Sequence, residues 1–402
     1  MKILFITDNF PPEVNAPATR TFEHCQEWVK AGASVTVITS FPNFPQGKIY
    51  PGYKHKLKQT EILEGIRVIR VWTFMAANEG SFKRLIDFWS FMITSFLVGL
   101  FEKTDLIIAT SPQFFTSLSG HFLSIIKNKP WIMEIRDLWP ESIITMNKRS
   151  LGYRVFEYIE YAMYRSANHL VVVTESYKNT IINNGISKDK ISVIYNSSNL
   201  DLYKPVPKNK VILDELHLVD KVIFGYIGTL GTAHNIPLYI ECFHSLQDKF
   251  PQIHLLIIGD GSDRHSVADK INELKPKNVT YLKPVRKQLV PDYTSILDIG
   301  LVPLRNKDEY KKSIPSKIFE LAAMNKYILL GVRGEAQGIV ESYGIGSCFE
   351  PDNIESFCLA AEKIVSNNEY NKISHDVFTK FTNDFDRRIM ARKMFDIFKK
   401  IL

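Results

Sequence analysis

Short apolar runs bounded by turn residues recur along this chain, and most of the segments between them carry apolar residues at helical spacing. That βα alternation predicts a doubly wound α/β fold, because parallel strands must be joined by crossovers and a helix is the usual one. The first half supplies runs at 3–7, 34–39, 66–72, 105–110, 131–135, 169–173 and 191–195, enough for one open sheet. The pattern restarts at 222–227, 253–258, 279–282, 298–302, 327–332 and 346–350, which predicts a second sheet. Between them, 196–210 is rich in Asn, Ser, Pro and Lys with little apolar periodicity, the composition of a linker. A chain of 402 residues is comfortable as two domains, here 1–200 and 205 onward. Past 352 the pattern is wholly helical and closes on a helix over 384–402, with Ile389, Met390, Met394, Ile397, Phe398 and Ile401 on one face.

Composition narrows the function classes. Fifty Lys and Arg against 43 Asp and Glu leave a formal charge of +7, which favours anionic partners such as phosphates or acidic lipid. The basic residues are spread along the chain rather than concentrated on one face, which argues against nucleic-acid binding. Cys25, Cys242, Cys348 and Cys358 are far apart in sequence with no CxxC pair, so neither a disulfide framework nor a zinc knuckle is expected, and a reducing, cytoplasmic setting fits. Only four consecutive apolar residues precede Asp8, so the first residues read as a buried strand rather than a secretory signal. An uncharged stretch of 14 residues, 88–101, follows Lys83 and Arg84 and is too short to span a bilayer. It fits either a core helix over the sheet or a helix lying partly in a membrane interface.

In doubly wound domains ligands bind beyond the carboxyl ends of the strands, so the loops there are where chemistry is expected. After the first run comes Phe10-Pro11-Pro12-Glu13-Val14-Asn15-Ala16-Pro17-Ala18-Thr19-Arg20, a stiff loop that either shapes a pocket or simply connects and caps. The second half opens with Tyr226-Ile227-Gly228-Thr229-Leu230-Gly231-Thr232-Ala233-His234-Asn235, whose amides and following helix suit a diphosphate, although a tight turn explains the glycines as well. Gly259-Asp260-Gly261 is another ligand loop or a helix cap, and Arg286 joins the donor-side candidates. Ser316, Lys317 and Glu320 open a helix at 317, with Lys317 and Glu320 three apart on one face. They form either a surface ion pair or an ammonium for phosphate beside a carboxylate for ribose hydroxyls. Glu134-Ile135-Arg136-Asp137-Leu138-Trp139-Pro140-Glu141 places four charges and a tryptophan at the end of a buried strand, a costly concentration unless paired or functional. A serine nucleophile elbow, HExxH and a P-loop are absent, and Asp384-Phe385-Asp386 reads as a cap opening the last helix rather than a metal site.

Together, the two Rossmann-like halves and the segments PPEVNAPATR, YIGTLGTAH, GDG and PSKIFELAAM resemble the GT-B glycosyltransferases of family four, over nearly the whole chain. PPE-x-x-APATR, IRDLWPES and IPSKIFE are most similar to bacterial N-acetylfucosamine transferases of O-antigen and capsule assembly. The resemblance implies a retaining transfer from a nucleotide sugar, without a bound metal or other cofactor, in a cleft between the lobes. It also implies a last helix, 384–402, that crosses back to the first domain and leaves 205–383 as the second.

Glu320 matches the second glutamate of the family's E-x7-E motif, expected to hold the ribose, whereas the first falls at Lys312. The arginine and lysine usual after the first strand of domain two align with Thr229 and His234, and a first-domain histidine is replaced around Arg136 and Asp137. The resemblance therefore implies a donor site of Gly228, Thr229, Gly231, His234, Asp260, Gly261, Arg286, Ser316, Lys317 and Glu320. It puts a catalytic centre at Arg136 and Asp137, with Asn15, Arg20, Trp139 and Glu141 on the acceptor side. The expected reaction moves an N-acetylated deoxyhexosamine such as L-FucNAc from a UDP-sugar donor to a lipid-linked saccharide, at the inner face of the membrane. A nucleotide-sugar epimerase on the same scaffold and a non-catalytic nucleotide-sugar-binding scaffold are the alternatives.

Overall fold

The computed structural model describes residues 1–44, 46–75, 81–111, 114–140 and 150–402. The chain divides into two compact units, Met1–Asn196 with Arg387–Leu402, and Ser197–Asp386. The first unit holds β1 (Lys2–Ile6), β2 (Ser34–Ser40), β3 (Lys58–Leu63), β4 (Ile66–Val71), β5 (Leu106–Thr110), β6 (Trp131–Ile135), β7 (His169–Val172) and β8 (Ile191–Val193), in the order β3-β4-β2-β1-β5-β6-β7-β8. The second holds β9 (Val222–Ile227), β10 (Ile253–Ile258), β11 (Val279–Leu282), β12 (Ile299–Pro303), β13 (Tyr327–Gly331) and β14 (Gly346–Cys348), in the order β11-β10-β9-β12-β13-β14. All pairings are parallel except that between β3 and β4. β5, β6, β10, β12 and β13 are buried throughout, the condition that makes parallel strands read as continuous apolar runs.

Each sheet has its topological switch point where the chain leaves in opposite directions: between β1 and β5 in the first unit, and between β9 and β12 in the second. Ligand sites of doubly wound sheets form outside the carboxyl ends of strands at such points. The loop after β1 leads to the helix Ala16–Lys30, capped by Asn15, whose Oδ1 accepts from the Ala18 amide at 2.9 Å. The helix Arg387–Ile401 belongs to the first unit and packs on that helix. Trp28 Nε1 donates to the Ala391 carbonyl at 2.9 Å, its ring meets Phe398 edge-on at 4.9 Å, and Arg387 pairs with Glu23 at 2.9 Å.

Two expectations are corrected. β3 was not foreseen: its exposure alternates along Lys58–Leu63, so it lacks an apolar run, and it pairs antiparallel with β4 at the sheet edge across Glu64-Gly65, both at positive φ. The last helix starts at Arg387, so the aspartates do not open it. Asp384 instead ends the helix His375–Asp384 and accepts from the Tyr343 hydroxyl at 2.6 Å, while Asp386 is buried and bridges to Ser198. The four cysteines are free thiols; Cys242 and Cys358, 116 positions apart in sequence, meet across the helices Ile236–Leu246 and Ile354–Ser366, and a thiol hydrogen bond between them raises the Cys242 pKa and lowers that of Cys358.

Candidate active site

In the second unit, the loop leaving β9 and the loop leaving β12 are locked together. The Arg305 amide donates to the Ala233 carbonyl at 2.8 Å, and His234 Nδ1 lies 3.1 Å from the Pro303 carbonyl. A carbonyl can only accept, so Nδ1 carries the proton and Nε2 presents a lone pair. Burial, reinforced by the charge of Lys317, pushes the His234 pKa down to about 4, so this imidazole is neutral at pH 7 and brings no positive charge to the switch point. Among the described residues two cations stand there: Arg305, whose guanidinium is spent on the Thr232 carbonyl at 2.7 Å and Asn235 Oδ1 at 3.2 Å, and Lys317, first residue of the helix Lys317–Ala323. The Lys317 ammonium lies 5.1 Å over the Tyr226 ring, and burial lowers its pKa while the neighbouring Glu320 carboxylate opposes the shift.

Gly228 explains how Lys317 reaches the loop. Its φ of 151° is one that L side chains rarely adopt, and a Cβ there would lie 2.2 Å from Lys317 Nζ and push the ammonium from its place. Tyr226 fixes the next residue by donating its hydroxyl to the Thr229 carbonyl at 2.6 Å. At the end of β9, a shallow open cavity is lined by Gly225, Ile227, Thr294, Leu297, Lys317 and Glu320 among others. The cavity thus has apolar walls and one ammonium beside one carboxylate, the composition expected of a small-molecule site.

The remaining donor candidates are distributed differently. Gly259 and Gly261 are required by backbone packing: added Cβ atoms would come within 1.9 Å of the Gly228 carbonyl oxygen and 2.2 Å of that of Leu230. The Leu230 amide donates to the Asp260 carbonyl at 2.9 Å, tying the two loops together. The exposed Asp260 carboxylate accepts from the Gly261 amide at 2.8 Å and stands 3.8 Å from Arg264. Gly231 accepts from the His234 amide at 2.9 Å, Ser316 precedes the Lys317 helix and accepts from the Phe319 amide at 3.1 Å, and Arg286 is exposed ahead of the short turn Lys287–Leu289. Of the ten donor candidates, Lys317 and Glu320 line the cavity and the other eight do not.

In the first unit, Ser111 follows β5 directly at the switch point, and its hydroxyl oxygen accepts from the amides of Arg136 at 2.7 Å and Asp137 at 3.3 Å. The sequence reading missed this serine, although its place at a strand's carboxyl end was the available signal. Burial raises the Asp137 pKa to about 6 against the opposing charge of Arg136. Burial also lowers the Arg136 pKa to about 10, with Arg20 adding to the shift and Glu134 and Asp137 resisting it. The Trp139 amide donates to Glu160 at 2.9 Å and its ring stacks on Phe114 at 5.9 Å. Glu141 lies outside the described residues.

Arg20 and Asn15 hold this region together from the loop after β1. Arg20 donates to Glu134 Oε1 at 3.1 and 3.0 Å, to the Tyr195 carbonyl at 2.9 Å and to the Ile194 carbonyl at 3.2 Å, and both partners of the ion pair are almost wholly buried. Asn15 is occupied by its cap and by Asn9, at 2.7 Å. Arg20 is thus a positioning residue. Arg20→Met should destabilise the first unit by about 3–5 kcal/mol, because it leaves Glu134 charged and unpaired in the core. Urea unfolding should show most of that loss recovered in the Arg20→Met, Glu134→Leu double variant; an unchanged single variant would contradict the pairing.

Residues 15–197 match the glycosyl transferase 4-like domain, and residues 210–376 match the glycosyl transferases group 1 domain. A relative in Escherichia coli (strain K12), WcaI, whose name assigns it as a glycosyl transferase to colanic acid biosynthesis, is 24% identical over 94% of this chain and 95% of its own length. Among solved structures, sucrose-phosphate synthase from Thermosynechococcus elongatus superposes with a TM-score of 0.80 at 16% identity, covering 100% of this chain and 98% of the other. HepE of Anabaena, solved in complex with UDP-glucose, superposes with a TM-score of 0.75 at 14% identity over 100% of both chains. At such identities the superpositions establish the GT-B fold, and the two domain matches establish the kind of enzyme: this chain is a GT-B glycosyltransferase that joins a 4-like domain to a group 1 domain.

Proposed function

We propose that this chain transfers a sugar from a UDP-sugar donor, held by the second unit, to a saccharide acceptor taken by the first, in the assembly of a bacterial surface polysaccharide. The observation that carries the donor side is the Lys317 ammonium seated against Gly228 at the β9/β12 switch point, with Glu320 beside it on the cavity wall. Cleavage of the bond between sugar and phosphate leaves negative charge on the nucleoside diphosphate, and a fixed ammonium with loop amides is complementary to that charge. Glu320 is three residues from Lys317 on the same helix and is assigned the ribose hydroxyls. In the first unit, Asp137 orients the acceptor hydroxyl. In a retaining reaction without a bound metal, the departing phosphate itself takes the acceptor proton. The donor sugar is an N-acetylated deoxyhexosamine such as L-FucNAc, and the acceptor is lipid-linked. Nucleotide preference tests the donor assignment: UDP at 100 times its Kd should stabilise the protein by about 2.7 kcal/mol. Equal or larger stabilisation by GDP or ADP at the same concentration would contradict UDP as the carrier.

A lipid-linked acceptor calls for a membrane-facing surface. No helix among the described residues is long and apolar enough to cross a membrane. The helix Ser81–Gly99, for which the sequence left two readings open, turns Phe91 and Met92 into the core and Trp89, Ile93 and Leu97 outward, with exposed Lys83 and Arg84 at its start. Exposed Phe122, Ile125 and Ile126 lie on the helix Phe114–Lys127 that packs against it. Apolar side chains in a row beside basic residues suit the interface of an anionic membrane, and we assign the protein to peripheral contact with the cytoplasmic face. Replacing Trp89, Ile93 and Leu97 together by Ser should reduce co-flotation with anionic vesicles at least about ten-fold, because each loses about 1–2 kcal/mol of apolar burial. Undiminished flotation would contradict the assignment.

A further inference from the structure

Three guanidinium groups act on one another in the first unit, and two of them have partners. Arg20 is bound to Glu134 and to the carbonyls of Ile194 and Tyr195, and Arg387 is paired with Glu23 at 2.9 Å. Arg136 differs: its Nε and Nη1 are shut off from solvent and have no hydrogen-bond partner among the described residues. Glu134 and Asp137 supply attraction, but Arg20 already occupies Glu134 Oε1 at 3.0 Å, and neither carboxylate hydrogen-bonds Nε or Nη1. Two guanidinium donors shielded from water and left idle are costly, and native proteins keep such groups where something outside the chain completes them. The place is also the right one: Arg136 follows β6, next to the strand that ends in Ser111 at the switch point, and that serine's hydroxyl pins the Arg136 amide at 2.7 Å. Its backbone is therefore held while its Nε and Nη1 are left without an acceptor.

We propose that Arg136 receives an oxyanion of the acceptor, a carboxylate or a phosphate, so that the first unit selects a negatively charged saccharide over a neutral one. The inference rests on the reading of the first unit as the acceptor-binding half, and it names the class of acceptor. Arginine suits the task because its N–H groups lie in one plane and match the paired oxygens of either anion. Two sources share that chemistry: the carboxylate of a uronic acid within the saccharide, and the diphosphate that links a saccharide to its lipid.

The test is binding to full-length protein saturated with UDP, so that Lys317 in the second unit is already occupied. Methyl glucuronide, inorganic pyrophosphate and neutral methyl glucoside are titrated by calorimetry against wild type, Arg136→Gln and Arg136→Lys. At least one anion is expected to bind wild type ten-fold or more tightly than methyl glucoside. That preference should fall about 10- to 100-fold in Arg136→Gln, the range for a hydrogen bond to a charged group, with UDP affinity unchanged. Preference for glucuronide identifies a uronic acid and preference for pyrophosphate the lipid diphosphate. Arg136→Lys keeps the charge, so it secures the test if the glutamine variant does not fold, and it is expected to lose most of the preference with the planar N–H groups. Equal binding of all three probes by wild type overturns the proposal, as does a preference that survives both substitutions. Because no turnover is measured, a failure here is separate from failure of sugar transfer: a protein that transfers sugar equally well to neutral acceptors keeps its activity and loses this inference.

Discussion

Lys317→Ala is expected to lower kcat/KM for the nucleotide-sugar donor by about 100- to 1,000-fold, the effect of removing one preorganised partner of a charge that develops in the transition state. The nearby His234 does not share this role, since it is held neutral, its pKa pushed down to about 4, and its Nδ1 is turned to the Pro303 carbonyl. Gly228→Ala offers an independent route to the same outcome. Its Cβ would sit 2.2 Å from Lys317 Nζ and would displace the ammonium without removing its charge. Steady-state kinetics on the two variants should therefore agree in direction, with kcat falling as well as KM rising. A Lys317→Ala enzyme within a few-fold of wild type would remove this residue from the donor site.

Asp137→Asn is expected to do two opposite things at once: lower kcat about 100-fold or more, and stabilise the protein at neutral pH. Burial raises the folded-state pKa of Asp137 to about 6 from an ordinary 3.8. The folded protein therefore holds this proton more tightly than the unfolded chain. The stability gained from holding it is complete below about pH 4 and is lost as pH rises through 6, leaving a buried charge that costs about 1–3 kcal/mol at pH 7. Asparagine removes that cost. The variant should be more stable than wild type at pH 7 and indistinguishable from it near pH 4, as measured by urea unfolding at both pH values. A carboxylate present for packing alone would give the stability change without the loss of rate, and an exposed one would give neither.

What the sequence disclosed follows from what burial does to patterns. β5, β6, β10, β12 and β13 are covered on both faces, so each survives in the sequence as an uninterrupted apolar run. β3 alternates, sits at an edge and carries Lys58 and Glu61, so it resembles loop. The Glu64-Gly65 pair between two β-capable segments was the sign of a hairpin. Charges at a strand end pointed to Arg136 and Asp137, because a charge at the mouth of a buried sheet needs a reason, and helical spacing pointed to Lys317 and Glu320.

Relations between distant residues were not legible. Nothing in sequence spacing says that Gly228 is glycine because Lys317 stands over it, or that Gly259 and Gly261 are glycine because two backbones touch. The same holds for Arg20, whose donors all go to Glu134 and two carbonyls more than a hundred positions away. Ser111 and Tyr226 escaped notice because each acts through a single hydroxyl, accepting two amides in one case and donating to a carbonyl in the other. Such groups carry no charge to mark them in the sequence.

The most direct test of the central claim is UDP release by purified protein given a panel of UDP-sugars, with and without a short diphosphate-lipid saccharide, followed by the mass of the product. Release that depends on the acceptor, with one N-acetylated deoxyhexosamine added to its mass, is the predicted result. UDP binding without release for every donor, or an isomerised UDP-sugar formed without acceptor, would contradict it.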